Sequence, residues 1–153
     1  MMRNLMFSII KKAAKLGEYG LGKIKPLKIA YDFAFVALQP RMVQVQSHKM
    51  FLDPRDKSIS RELILKGVNE KFATELIKNL IKPRMNVVAL GANVGYYTLI
   101  MARLVDKGKI YAFEPDPTNF SLLKKNVEAN GYKNVVLVNK AVSNKSKKVK
   151  LYL

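Results

Sequence analysis

Between residues 86 and 138 the apolar pattern switches repeatedly between two periods, and this alternation restricts the fold more than any other feature of the chain. Asn86–Leu90 (NVVAL), Lys109–Phe113 (KIYAF) and Val135–Val138 (VVLV) are short runs of strand length, and Val94–Val105 and Pro117–Asn130 lie between them with helical spacing. Strands that alternate with helices predict a β-α-β-α-β unit with right-handed crossovers and a parallel sheet covered on both faces. The second helix is the best punctuated, with Asp116 as N-cap, Pro117 at the first helical position and Gly131 just past the end.

Upstream, Met42–Gln46 alternates and Lys49–Asp53 follows, which predicts a short hairpin with His48 in its turn. Ser58 is expected to cap a helix over Ile59–Lys66, and Asn69 a second one over Glu70–Ile81 with Phe72, Leu76 and Leu80 as its buried stripe. Residues 1–40 read as a basic extension of two helices. Its first part, residues 1–16, has the amphipathic pattern of a helix that contacts anionic membrane, weighed against docking on the domain itself. The division expected is 1–40 for this extension and 41–153 for the main domain.

The 153 residues are 49% hydrophobic, enough for a packed core, and carry no Cys, which removes disulfide scaffolds, zinc ribbons and thiol catalysis. A lone His cannot form a metal site, so no metal is expected and His48 reads as a surface residue. No run approaches the roughly 20 apolar residues of a spanning helix, and a cytoplasmic or membrane-peripheral location is expected. The formal charge of +17 attracts phosphate in any form, yet no interleaved aromatic and basic surface marks a nucleic-acid binder. No specific nucleic acid is therefore expected as partner.

Gly91-Ala92-Asn93-Val94-Gly95 joins the first strand to its helix, at the carboxyl edge of the sheet where open parallel sheets bind ligands. The N–H groups of a helix start can bind polar groups there, Gly91 permits the tight turn, and Gly95 lets the helix lie close to the sheet. Neither phosphate fingerprint fits. The P-loop has no Gly-Lys-Ser/Thr here, and Asn93 stands where the dinucleotide pattern needs its second glycine. Glu114 ends the second strand, 23 residues after Gly91, where a carboxylate can accept from both ribose hydroxyls. An adenosyl ligand is favoured.

The runs NVVALGANVGYYTLIMARLV, KIYAFEPDPTNFSLLKKNVEANG and KNVVLVNKAVSNKSKKVKLYL resemble the S-adenosylmethionine-binding half of FkbM-type methyltransferases, and LDPRDKSISRELILKGVNEKFATELIKNLIKP resembles their lead-in. The resemblance covers roughly Met42 to Leu153. It implies a partial Rossmann-like class I methyltransferase fold of the α/β class, with three main parallel strands, flanking helices and a C-terminal hairpin strand at Val149–Leu153. The implied cofactor is S-adenosyl-L-methionine. Gly91, Ala92, Asn93 and Gly95 would hold its methionine part and Glu114 its ribose, with Asp116 and the stretch around Ala141 near the adenine and Tyr97 reaching the pocket. The acidic residue that members of that family carry two places before the first glycine is Ala89 here.

The family's fold continues beyond this point with strands and helices that shape the acceptor pocket, so the chain is expected to be truncated, with its first strand an open edge beside an uncovered apolar face. Self-association through that edge is expected. The function implied is methyl transfer, by resemblance O-methylation of a small-molecule or glycan hydroxyl. No catalytic residue can be named. The alternatives are a non-catalytic cofactor-binding remnant or partner-docking module, and a charge-driven nucleic-acid or membrane-surface binder.

Overall fold

The computed structural model describes residues 6–12, 25–40, 42–145, 147 and 150. Residues 6–12 are helical, followed among the described residues by α1 (Lys25–Leu38), β1 (Val43–Val45), β2 (His48–Met50), α2 (Ile59–Lys66), α3 (Lys71–Leu80), β3 (Val87–Leu90), α4 (Tyr96–Leu104), β4 (Ile110–Phe113), α5 (Pro117–Ala129) and β5 (Val135–Val138). The expected Val149–Leu153 strand lies, Lys150 apart, outside the described residues.

The α/β architecture is as the alternation predicts: β3, β4 and β5 form a parallel sheet in that order, with Val87 paired to Ile110 and Ile110 to Val135. Asp116 caps α5 by accepting from the Asn119 N–H at 2.6 Å, and Pro117 opens the helix. Both crossovers advance in the same direction with the same hand, so α4 and α5 lie on one face. That face buries Ala112 with Leu99, Ile100, Leu123 and Val127, and Ile110 with Met101, Ala102 and Val105. The expectation of helices on both faces fails here, because Val88, Leu90 and Val136 on the other face are exposed. Among the described residues β3 is an open edge, as the sequence anticipates.

Three local expectations need correction. Ser58 donates its own hydroxyl to Asp56 instead of capping α2, and Asp56 takes the capping role, accepting from the Ser60 N–H at 2.9 Å. These bonds outweigh burial and hold the Asp56 carboxyl below its ordinary pKa. Asn69 likewise does not cap α3 with its side chain; its carbonyl accepts from the buried Thr74 hydroxyl at 2.7 Å. Nor is Phe72-Leu76-Leu80 the buried stripe. Phe72 is 83% exposed, and α3 instead packs through Thr74 and Ile77 beside α4.

His48 stands in β2 opposite Val45, not in the turn, which is made by Gln46 and Ser47 at φ 49° and 67° as a two-residue hairpin requires. It is 3% exposed, and its Nε2 lies 2.8 Å from the Tyr132 hydroxyl. Burial, with the charge of Arg103 second, pushes the imidazole below its ordinary pKa.

The hairpin is fastened to the sheet layer by two asparagines one turn apart, Asn126 in α5 and Asn130 at its C-cap. Asn126 accepts from the Phe51 N–H at 2.6 Å and donates to the Phe51 carbonyl at 3.1 Å, while Asn130 does the same to Lys49 at 2.9 and 2.8 Å. Four residues of helix rise about 6 Å and two residues of strand about 6.6 Å, so an i, i+4 pair can read alternate residues of an extended segment.

At the other end, Asp32 of α1 bonds Arg61 of α2 at 2.7 Å and pairs with Lys57 at 3.5 Å. Burial raises the Asp32 pKa, but Arg61 and then Lys57 outweigh it and leave the carboxyl below its ordinary value. Arg61 also covers the ring of Phe35, which packs against Phe7 from the first helical stretch.

Candidate functional site

The β3–α4 turn is built from three left-handed residues: Gly91 at φ 70°, Asn93 at 51° and Gly95 at 93°. A Cβ on Gly95 would stand 2.7 Å from Leu123 Cδ1, so the missing side chain is what lets α4 start against α5. Gly91 is different. A Cβ there would meet nothing within 4 Å, which leaves open space at the bend.

Glu114, at the end of β4, faces this turn. Its Oε2 accepts from the Asn93 N–H at 2.7 Å and its Oε1 from the Asp116 N–H at 2.9 Å, while it is only 5% exposed. Each carboxylate oxygen keeps a further lone pair after these bonds. Asn139, just past β5, donates to the Glu114 carbonyl at 2.7 Å, so the carboxyl ends of all three strands are tied together at this point.

The amides of residues 92–95 are engaged. Ala92 N–H donates to the Phe113 carbonyl, Asn93 N–H to Glu114, Val94 N–H to the Asn93 side chain and Gly95 N–H to the Ala92 carbonyl. The expectation of free amides is thus corrected for residues 92–95, which the tight bend engages internally; at Gly91 it leaves open space, with a carboxylate close by.

A cleft of about 220 Å³ opens beside the turn, lined by Gly91, Ala92, Asn93, Val94, Tyr97 and, from the α2–α3 connection, Glu70. The Tyr97 hydroxyl donates to Glu70 Oε2 at 2.9 Å, and burial, with the Glu70 contact second, pushes the Tyr97 phenol up to about 12. Tyr96 turns inward instead, its hydroxyl 3.0 Å from Thr74 Oγ1.

Gly91, Ala92, Asn93 and Tyr97 therefore share one cleft, and Glu114 is joined to the bend through the Asn93 N–H. Asp116 is occupied as the α5 cap, next to Glu114. Ala141 is exposed in the segment leaving β5. Glu70 was not singled out in the sequence, since nothing local connects it to a tyrosine 27 residues away. A larger open depression of about 510 Å³ lies over the first turn of α5, lined by Asp53, Pro117, Thr118, Ser121 and Leu122, and includes none of the turn residues. Among the described residues no cluster could hold a metal ion, and no helix is long and apolar enough to cross a membrane.

Residues 59–151 match the model of the TRM5/TYW2 methyltransferase domain. No curated relative matches the chain in sequence. Among solved structures, TYW2 of M. jannaschii in complex with AdoMet is 22% identical with a TM-score of 0.52, covering 64% of this chain and 42% of that one. The complex of aTrm5 with tRNALeu is 20% identical with a TM-score of 0.54, covering 70% and 29%. Trm5 of Methanocaldococcus jannaschii in complex with adenosine is 20% identical with a TM-score of 0.52, covering 67% and 31%. The chain thus spans less than half the length of each of these proteins, and at such identity they speak for the fold.

The family match covers more than half of the chain, and the chain belongs to the TRM5/TYW2 methyltransferase-domain family. The FkbM resemblance is corrected accordingly. The residues that carried it, the glycine turn and the acidic strand end, lie at the carboxyl edge of a parallel sheet, a place where ligands gather across open α/β folds, so they do not separate one family from another. Two further expectations fall with it, the absence of a specific nucleic-acid partner and the small-molecule or glycan acceptor, since one neighbour is itself a protein–tRNA complex. The motif could not have revealed this, because nothing in it reads an acceptor.

Proposed function

We propose, taking membership of the TRM5/TYW2 methyltransferase-domain family as the premise, that this chain binds S-adenosyl-L-methionine across the β3–α4 turn and serves methyl transfer to an RNA of the tRNA class. The observation that carries the first half is the placement of Glu114 beside the bend, fixed by two main-chain N–H groups with acceptor capacity to spare. The open space at Gly91 fits a ligand that must approach the backbone closely.

In this reading Glu114 accepts from the ribose hydroxyls, and Gly91, Ala92, Asn93 and Gly95 shape the passage for the methionine part. Asp116 and the segment around Ala141 border the adenine. Tyr97 walls the cleft. The bound cofactor supplies a methyl group already activated on its sulfonium, so the protein's task is to hold the acceptor in line and exclude water. The net charge of +17 supports a polyanionic acceptor, and Lys140, Lys145 and Lys147 are exposed on the segment leaving the carboxyl edge of the sheet.

Calorimetric titration with S-adenosylhomocysteine tests the cofactor half, with transfer of a labelled methyl group to tRNA as the second arm. Folded protein that releases no heat with the ligand and gains no thermal protection from it would refute the cofactor assignment. Binding without any preference for tRNA over duplex DNA at physiological salt would refute the acceptor.

A further inference from the structure

We infer that Glu70 is the anionic contact for the ammonium group at the methionine end of the adenosyl ligand, with Tyr97 as the residue that positions its carboxylate. The inference rests on the adenosyl reading of the turn and adds to it the residue that recognises the amino-acid end.

Three observations on the cleft lead here. Glu70 is the one residue with a formal charge among those lining it, in a chain whose net charge is +17. It stands at the N-cap position of α3 yet makes no capping bond with its side chain, and its φ of 44° is a left-handed conformation uncommon for a residue with a Cβ. Its carboxylate is instead turned to Tyr97, which donates to Oε2 at 2.9 Å.

Among the described residues Oε1 makes no hydrogen bond, and no cation pairs with this carboxylate. An acid left unneutralised in so basic a protein, at the rim of a cleft where the amides of residues 92–95 are engaged internally, is set to receive a positive charge from outside. An adenosyl amino acid brings two, an ammonium and, in the methylated form, a sulfonium. Glu114 stands at the end of β4 and Glu70 at the start of α3, so a ligand held by both would run with its nucleoside toward β4 and its amino acid toward α3.

A second reading is that Glu70 and Tyr97 merely fasten α3 to α4. The two readings separate when ligands with and without the amino-acid end are compared on the same variants. S-adenosylhomocysteine carries the ammonium, and 5′-methylthioadenosine keeps the nucleoside and the thioether but lacks it.

Calorimetry on wild type, Glu70→Gln and Tyr97→Phe should show Glu70→Gln weakening S-adenosylhomocysteine roughly 10- to 150-fold, the range expected for loss of one charge-assisted hydrogen bond. Affinity for 5′-methylthioadenosine should stay within about twofold, as for a site with no shared partner. Tyr97→Phe should weaken S-adenosylhomocysteine less than Glu70→Gln does, since the charge stays but its orientation loosens. Unchanged S-adenosylhomocysteine affinity in Glu70→Gln would overturn the inference, and so would equal weakening of both ligands, the signature of a fastening role. Wild-type protein that binds neither ligand would refute the adenosyl reading itself and this inference with it.

Discussion

Asn126 and Asn130 offer a comparison in which chemistry is held constant and only burial changes. Each makes three hydrogen bonds to main-chain groups, two of them to one residue of the hairpin segment; the third bond of Asn126 is donated to the Val94 carbonyl at 2.8 Å, and that of Asn130 to the Asn126 carbonyl at 2.8 Å. Asn126 is 0% exposed, whereas the Asn130 bonds to Lys49 lie at the surface. Asn126→Ala strands the carbonyl of Val94 in the interior and the N–H and carbonyl of Phe51 in a half-buried position. At about 1–3 kcal/mol for each buried group left unmade, less what water entering the vacated space restores, a loss of about 3–5 kcal/mol is expected. That is a large share of the roughly 5–15 kcal/mol by which a domain is stable. Asn130→Ala leaves groups that solvent can satisfy and should cost about 0.5–1.5 kcal/mol. Urea unfolding followed by circular dichroism measures both, with an unchanged slope licensing the comparison. Equal losses in the two variants, or less than about 1 kcal/mol for Asn126→Ala, would refute the claim that burial of the clamp sets its value.

Three other outcomes are expected. Gly95→Ala should destabilise the protein by about 1–3 kcal/mol in thermal unfolding, since φ is 93° and the new Cβ would lie 2.7 Å from the buried Leu123. His48 binds its proton less readily in the folded chain than in the unfolded one, so the stability it contributes is full above its ordinary pKa of 6.5 and is lost as the pH falls below that value toward the depressed folded pKa; His48→Gln should flatten this part of the stability profile. Replacing Lys145 and Lys147 by Glu should weaken tRNA retention and lower its salt dependence while S-adenosylhomocysteine affinity holds, as filter binding across a salt series would reveal.

The parts of this protein legible in its sequence are those decided by neighbours along the chain. Asp116, Pro117 and Gly131 punctuate α5 because capping and helix termination act within four residues, and β5 falls on Val135–Val138 as its apolar run indicates. The turn at Gly91–Gly95 and the acid at Glu114 could be paired in advance because a βαβ crossover brings consecutive strand ends to one edge of the sheet. Contacts between distant segments left no such trace. Helical spacing marks stripes on α3 but not which one faces inward, and the neighbouring α4 took Thr74 and Ile77 rather than Phe72 and Leu80. His48 is buried by Tyr132, 84 residues away, and Asn126 reaches a segment 75 residues upstream. Glu70 enters the cleft only because α3 packs beside α4 and brings it to Tyr97. Local sequence thus determined the elements and the bend, since hydrogen bonds between near neighbours and period of burial act at short range. Tertiary packing alone decided which polar side chains were taken out of water and which carboxylate was left facing the cleft, because desolvation depends on whatever segment arrives from elsewhere in the chain.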